Sequence, residues 1–189
     1  LTIGSSSSAE QYGLIRINLD DIGLHSNSSI ISADFIFERS SYSGDAIVSF
    51  HVMDAEDWTE YESTWKKYDG TYYWDDGGRT PSMSVGSFDG NQSSSTVEVN
   101  LTVAIQKWID DNNVAIQSGQ APAKHLDLML VASTWGIEES STQSVNLCST
   151  DSSTCDNPKI EITYDWGSNG PPTIPTHTSP LNGHSVWNL

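Results

Sequence analysis

Basic residues are scarce in this chain, and their scarcity restricts what it can bind. Its 189 residues include 8 Lys and Arg against 25 Asp and Glu, which gives a formal net charge of −17. Binding to nucleic acid needs a basic patch, so this composition argues strongly against it. It argues more weakly against anionic membranes and anionic polysaccharides. The same charge keeps a protein soluble and suits salty or calcium-containing surroundings.

Long apolar runs and enzyme motifs are also missing. No apolar run reaches the roughly 18 residues that a membrane-spanning helix requires, so the sequence predicts no membrane span. It contains no Gly-x-Ser-x-Gly elbow, no His-Glu-x-x-His helix and no phosphate loop. Abundant acidic residues leave a glycosidase pair open, but nothing singles one out. We therefore expect a protein that is not an enzyme.

Only two cysteines occur, Cys148 and Cys155, and a short polar linker separates them. The two thiols could meet across a hairpin loop, and such a disulfide implies an oxidising, extracellular compartment. A metal site is poorly supported because no histidine lies near them at ligand spacing. Three N-x-[S/T] sequons, at Asn27, Asn91 and Asn100, are candidate glycosylation sites and agree with export. We expect an extracellular or cell-surface location.

Aromatic residues are concentrated in the stretch 58–65 and in its continuation at 72–74. Such rings carry most of the apolar area that a small β domain can bury, so we favour a role in closing the core. Alternatively, they form a platform on which sugar rings stack. The candidate carbohydrate-binding residues are Trp58, Tyr61, Tyr72, Tyr73 and Trp74. Asp75 and Asp76 could hydrogen-bond sugar hydroxyls or hold a calcium ion, the one cofactor that we consider.

Alternation of apolar and polar residues predicts β-strands along most of the chain. The predicted strands span 1–3, 14–19, 31–38, 46–53, 97–99, 126–132, 145–147 and 160–164. Loops are predicted at 4–11, 20–29, 75–95 and 140–144. Packing of two sheets would bury the apolar faces, so the pattern predicts an all-β fold with two layers.

One segment has helical spacing instead. Leu101, Ala104, Ile105, Trp108 and Ile109 follow the spacing i, i+3, i+4, i+7, i+8, which predicts one short amphipathic helix of about three turns. We expect this helix to end at the Asp-Asp-Asn-Asn sequence of residues 110–113, with Trp108 in the core.

Some charged and titratable side chains are given structural interpretations. Arg16 lies on the polar face of a predicted strand and is expected to pair with an acid. His51 lies opposite the apolar residues of its strand, where solvation or a hydrogen bond is a better expectation than metal ligation. His177 and His184 are too isolated to predict a metal site.

Composition changes after residue 166, so we divide the chain into a β-sandwich domain (1–166) and a Pro/Gly-rich linker with a strand-like tail (167–189). An apolar end formed by Val186, Trp187 and Leu189 needs a partner. It could be the first strand of a following domain, or it could pair with another copy of the chain.

The order of four motifs resembles the DNRLRE family, also called the disaggregatase-related domain and grouped with carbohydrate-binding modules. Residues 13–20 resemble its Leu-Leu-Arg-Phe-Asp-Leu motif, and residues 31–37 resemble its Ser-Ala-x-Leu-x-Leu strand. Residues 58–65 match Trp-Thr-Glu-x-x-x-Thr-Trp, residues 158–164 match Pro-x-Leu-x-Ile-Thr-Tyr, and the predicted helix fits the family's single helix. The resemblance implies an all-β, jelly-roll-like two-sheet sandwich with one short α-helix, found in large secreted proteins of archaea and bacteria.

The chain also departs from that family. Family members have one more strand before the segment that begins at Leu1, and Asn18 stands where an aspartate is usual. The cysteine pair is a local addition, and the few basic residues weaken an interaction with acidic polysaccharide. A missing strand leaves a sheet edge that the tail of another copy could complete.

Two functions remain open from the sequence. One is a non-catalytic structural or adhesive module of a surface protein, which polymerises into a filament by strand exchange through its tail. Its partners would be further copies or neighbouring domains of the same protein. The alternative is a carbohydrate-binding module attached to a polysaccharide-degrading enzyme, whose partner would be a glycan.

Overall fold

A computed structural model describes residues 1–6, 9–19, 28–53, 83–132, 143–148, 153–165, 176–180 and 187–188. Within these ranges two antiparallel sheets pack together, with one helix beside them, so the prediction of an all-β two-sheet sandwich with one helix is confirmed. In chain order the elements are β1 (Thr2–Ser6), β2 (Ala9–Gln11), β3 (Gly13–Asn18), β4 (Ser29–Ser43), β5 (Ile47–Val52), β6 (Met83–Asp89), β7 (Thr96–Asn100), α1 (Thr102–Gln117), β8 (His125–Ala132), β9 (Gln143–Leu147), β10 (Lys159–Asp165), β11 (Thr176–Pro180) and β12 (Trp187–Asn188).

Strand β4 is the centre of the larger sheet. The described strands of that sheet follow the order β11-β10-β4-β9-β1-β2, and β7 also pairs with β4. Residues 29–36 of β4 pair with β10, residues 39–43 pair with β9, and residues 34–38 pair with β7. The second sheet has the order β12-β3-β8-β5-β6.

The core lies between the sheets and is built from the inward faces of their strands. Along β4 every second residue from Ala33 to Arg39 is buried, as strand periodicity requires. Four phenylalanines meet at the centre, with ring centroids 5.0 to 6.2 Å apart: Phe35, Phe37, Phe50 and Phe88. Tilted and edge-on rings at these distances add specific attraction to the area that they bury.

Helix α1 is longer than the sequence predicted. Its apolar face is as expected, because Ala104, Ile105 and Ile109 are buried and Trp108 packs partly buried against the core. The predicted end at residues 110–113 is wrong, since the helix continues to Gln117. Three of the four residues have side-chain partners that are compatible with the helix. By donor and acceptor these are Lys107 to Asp111, Gln106 to Asp110 and Asn112 to the Ala123 carbonyl.

A glycine ends the helix. Gly119 has a φ of +74°, and its N–H donates to the Ile116 carbonyl at 3.0 Å. The N–H of Gln120 reaches the Ala115 carbonyl at 2.8 Å. These two bonds form a Schellman motif, which satisfies the last carbonyls of the helix and favours glycine at the left-handed position.

Three predicted loops contain strands. Residues 83–89 form β6, although the sequence predicted a loop there, because Val85 and Phe88 are three residues apart and interrupt the apolar alternation. Strand β1 extends to Ser6 and β2 covers 9–11, within the segment predicted as a Ser-rich turn. Strand β9 begins at Gln143, inside the predicted loop 140–144. In each case tertiary pairing overrides a weak local pattern.

Both described segments of the tail pair with the same chain. Residues 176–180, which lie in the predicted linker, form β11 antiparallel to β10. Strand β12 pairs with β3, with Trp187 opposite Leu14 and Asn188 opposite Gly13. The described parts of the tail therefore extend both sheets of the sandwich.

Arg39 fastens the corner where the chain passes from one sheet to the other. Its side chain continues the inward phase of β4 at the rim of the core and is only 9% exposed. Its guanidinium donates to the carbonyl of Gly90 and, at 2.8 Å, to that of Gln92. The backbone N–H of Arg39 also donates to the Ser95 carbonyl at 2.8 Å. These bonds hold the turn between β6 and β7 against β4.

We predict that Arg39→Met lowers the free energy of unfolding by about 2–4 kcal/mol, because two carbonyls lose charged donors and one of these bonds is buried. Urea denaturation measures the change. The matched control is Lys107→Met, which removes a cation from an exposed i,i+4 pair and should cost at most about 0.5 kcal/mol. Equal losses in the two variants would show that the corner does not depend on Arg39.

Candidate functional site

Several predicted site residues lie outside the described part of the chain. They are the carbohydrate-binding candidates Trp58, Tyr61, Tyr72, Tyr73 and Trp74, the metal candidates Asp75 and Asp76, the sequon residue Asn27, and the tail residues Val186 and Leu189. The carbohydrate platform and the calcium site therefore stay predictions from sequence. The described candidates are the tail strand, the disulfide loop and two of the sequons.

The tail strand β12 occupies one edge of the smaller sheet. β3 lies next to β12, and the opposite edge of β3 pairs with β8 in continuous register, from Gly13 opposite Leu130 to Asn18 opposite His125. Towards the core, β3 contributes Ile15 and Ile17, both nearly inaccessible to solvent. In the described part of the tail end, Trp187 and Asn188 pair with Leu14 and Gly13, the first two residues of β3. This contact lies at the edge of a strand whose side chains form the core.

Gly13 allows the sheets to approach closely at this point. A Cβ atom at residue 13 would lie 2.7 Å from a methyl carbon of Leu1 and 3.2 Å from Ile3. Side chains of Leu1 and of Ile3 on β1 thus fill the space over Gly13, which pairs with Asn188. A larger residue at position 13 would displace this packing, so the edge that receives the tail is fixed to the core.

Arg16 and Asp127 form an ion pair on the outer face of the smaller sheet. The two residues are direct partners on β3 and β8, and the guanidinium donates to both carboxylate oxygens at 2.8 and 2.9 Å. The side chains are 19% and 6% exposed, respectively. A bidentate ion pair of this kind fixes the register of the two strands and neutralises a buried charge. The prediction that Arg16 pairs with an acid is confirmed.

A small cavity of about 130 Å³ lies between α1, the end of β5 and the start of β8. Two side chains on its wall, Trp108 and Asn112, bond to backbone groups of the protein. The indole N–H of Trp108 donates to the His125 carbonyl at 3.0 Å, and the Asn112 amide exchanges two bonds with the backbone of Ala123 at 2.8 and 2.9 Å. These bonds attach the helix to the sandwich, which gives the cavity wall a structural role.

Two acids meet on the outer face of the larger sheet, Asp34 on β4 and Glu161 on β10. Glycosidases use such pairs, but here each carboxylate has a neighbour that neutralises or binds it. Asn100 donates to Asp34 at 3.0 Å, and the Lys159 ammonium donates to Glu161 at 2.6 Å. The pair is thus part of a hydrogen-bonded sheet surface, where these partners hold both acids in place.

The predicted disulfide is present between Cys148 and Cys155, whose Cα atoms are 6.1 Å apart. It closes an excursion between β9 and β10. Both strands run antiparallel to β4, β9 ending opposite Arg39 and β10 beginning opposite Ile36. The chain between them, residues 148–158, is much longer than this gap requires. The disulfide holds Cys155 beside Cys148, whose N–H bonds to β4, before β10 begins.

Glu38 lies at the gap and holds both sides of the loop. Its carbonyl accepts the Cys148 N–H at 2.8 Å, and its carboxylate accepts the Asp156 N–H at 3.2 Å. One carboxylate oxygen and the two sulfur atoms lie within 4.8 Å of one another, a spacing that could hold a metal ion. Sulfur ligates metals as thiolate, however, and in the disulfide neither sulfur carries that charge. In this oxidised form the cluster is therefore not a metal site.

Both described sequon residues are exposed and hydrogen-bonded. Asn91 lies in the turn that Arg39 holds, and its amide donates to Asp45 at 2.7 Å. Asn100 ends β7, and its side-chain oxygen accepts the N–H of Thr102, the first residue of α1, at 3.2 Å. Their predicted glycosylation depends on an external enzyme and stays a prediction.

Sequence reasoning missed Glu38 and Arg39. Arg39 could have been found, because it occupies the inward phase of an alternating strand, where a charge needs a buried partner. Glu38 gave no comparable indication, since its partner Asp156 is 118 residues away.

The structure also shows no helix, within its described ranges, that is long and apolar enough to cross a bilayer.

Comparison of the chain with protein-family models, curated proteins and solved structures finds no significant match in any of the three. The resemblance to the DNRLRE family therefore rests on the sequence motifs alone.

We predict that the double variant Cys148→Ser/Cys155→Ser loses about 2–3 kcal/mol of stability, the entropy expected for a loop of this length. Urea denaturation with and without a thiol reductant measures it. Reductant should destabilise the wild type to the level of the variant and leave the variant unchanged. A wild type whose unfolding midpoint is unaffected by full reduction would contradict this role for the disulfide.

We predict that protonation of His51 makes the stability of the protein depend on pH. Partial burial on the outer face of β5 lowers the pKa of His51 below its ordinary value of 6.5. As pH falls below about 6.5 the unfolded chain therefore takes up the proton first, and stability is lost. Between pH 7.5 and 5, His51→Gln should show a smaller fall in melting temperature than the wild type. Parallel curves for the two proteins would refute it.

Proposed function

We propose that this protein is a non-catalytic structural or adhesive module of the cell surface or extracellular space, and that copies associate by exchanging the tail strand. The observation that carries the proposal is the pairing of β12 with the edge of β3. An edge strand exposes unpaired N–H and C=O groups, and any strand of the right register can satisfy them. The tail of a second copy carries the same residues and would make the same pairs.

The position of the contact supports exchange. The described pairs, Trp187 with Leu14 and Asn188 with Gly13, lie at the edge of the smaller sheet, where a strand from a second copy can approach. Exchange of an identical element preserves every contact of the closed form and adds only the joining of two chains, which makes it a low-cost route to association. If each tail enters the next copy in line, the contact is head-to-tail and gives a filament.

The net charge sets the conditions under which copies can associate. Each copy carries a formal charge of −17, so copies repel one another over the Debye length, which is about 10 Å at 0.1 M salt and about 3 Å at 1 M. Added salt should therefore favour association. The disulfide agrees with an oxidising, extracellular location, where stable disulfides form.

Cysteine cross-linking tests the exchange. Leu14→Cys and Trp187→Cys are prepared as separate variants, because these positions face each other in the β3–β12 pair. The two proteins are mixed at high concentration in 1 M NaCl and oxidised. We expect a covalent heterodimer on a non-reducing gel, at a yield that rises with protein concentration and with salt.

Two controls make this experiment decisive. A chain carrying both substitutions should form the bond within itself at low concentration, which verifies the pairing. Leu14→Cys mixed with Gln117→Cys, an exposed position at the end of α1, should give no specific heterodimer. If the double variant closes on itself but the mixture never cross-links, and light scattering gives the monomer mass throughout, exchange does not occur.

A further inference from the structure

The carboxylate of Glu38 is placed against the disulfide by backbone contacts on both sides of the loop. Its carbonyl holds the Cys148 N–H, and its carboxylate holds the Asp156 N–H, next to Cys155. A carboxylate oxygen therefore stays within 4.8 Å of both sulfur atoms. Cys148 is 5% exposed, whereas Cys155 is half-buried, so a reductant reaches Cys155 more easily.

We propose that Glu38 shields the disulfide from anionic thiols and so controls the rate at which the loop opens. Glu38 acts as a positioning residue with a charge, and it forms no bond with the reductant. The inference is independent of the proposed strand exchange, because it concerns the chemistry of the loop alone.

The shield follows from the mechanism of thiol–disulfide exchange. A thiolate of a dithiol reductant attacks the Cys155 sulfur, the bond between the cysteines breaks, and its electron pair leaves on the Cys148 sulfur as a thiolate. The second thiol of the reductant, as thiolate, then displaces Cys155 from the mixed disulfide. The reductant leaves as a cyclic disulfide, and both cysteines end as thiols after taking up protons from water.

Negative charge accumulates beside Glu38 at each stage. The attacking thiolate, the charge spread over three sulfurs in the transition state and the departing Cys148 thiolate all lie near a carboxylate that is fixed in place. Repulsion between like charges at this separation raises the barrier to attack and weakens the leaving group. Asp156 adds a further acidic side chain on the exposed surface of the same loop.

The consequence concerns β10, which resumes after the loop and pairs with both β4 and β11. While the disulfide is closed, the loop ends where β10 must begin. Opening it releases the residues of the excursion from that constraint. Slow reduction therefore preserves this constraint on the segment that leads into β10.

The test compares Glu38→Gln with the wild type. Glutamine keeps an oxygen that can accept the Asp156 N–H but removes the charge. Both proteins are treated with dithiothreitol at constant pH, quenched by alkylation, and followed by the mass increase of the two freed cysteines. We expect the variant to be reduced about three- to tenfold faster, the change that a partly screened charge at this distance produces in a rate.

Three comparisons separate charge from loosening of the loop. In 1 M NaCl the ratio of the two rates should fall towards one, because salt screens the carboxylate. With an uncharged trialkylphosphine the ratio should be smaller than with dithiothreitol, because the attacking group then carries no charge. Asp111→Asn, which removes an acid from α1, should reduce at the wild-type rate.

Equal reduction rates in Glu38→Gln and the wild type would overturn the inference. It would also be overturned if the variant were reduced faster by the same factor in high salt and by the phosphine. That pattern would mean that Glu38 only holds the loop in shape, and that its charge has no effect on the disulfide.

Discussion

The structure depends on satisfying the backbone of one long strand. β4 spans 15 residues, and no single neighbour is long enough to pair with all of it. Its hydrogen bonds are shared among β10, β9 and β7. Where β7 has ended, side chains from α1 replace backbone partners, since Thr102 and Gln106 accept the N–H groups of Ala33 and Ile30 at 3.0 Å. Buried amides left without such partners would cost more than most single contacts contribute.

Two adjacent residues of β4, Glu38 and Arg39, form hydrogen bonds to the chain segments that connect its neighbouring strands. Glu38 lies on the outer face, where β9 gives way to β10, and it binds both sides of the disulfide loop. Arg39 points inward and holds the corner that leads into β7. Because strand side chains alternate, neighbouring residues serve opposite faces of one sheet. Glu38 therefore binds the loop between β9 and β10, whereas Arg39 binds the turn between β6 and β7, and the two side chains need not pair with each other.

Strands and helices with a regular apolar spacing could be predicted from the sequence, whereas pairing between distant segments could not. The alternations in β4, β5, β8 and β10 correctly identified strands, and the apolar spacing of Leu101 to Ile109 identified the buried face of α1. The end of α1 was wrong because its acidic and amide residues find partners within the helix and in Ala123. β6 was missed because its apolar residues are few, and its pairing with β5 comes from a segment more than thirty residues earlier in the chain.

The candidate sites divide along the same line. The disulfide and the pairing of Arg16 with an acid were predictable, because two cysteines leave one pairing and a strand arginine in an acidic chain has many partners. The partners of Glu38, Arg39 and β12 were not, because residues distant in sequence supply them. The chemistry of the described residues is one of ion pairs, backbone caps and a closed disulfide, and each of these holds chain segments together.

Cryo-electron microscopy of the concentrated protein in 1 M NaCl tests the central claim most directly. The account predicts head-to-tail assemblies in which the strand beside β3 belongs to the neighbouring copy, with Trp187 of that copy opposite Leu14. Single particles at every concentration, each with its own tail beside its own β3, would contradict it.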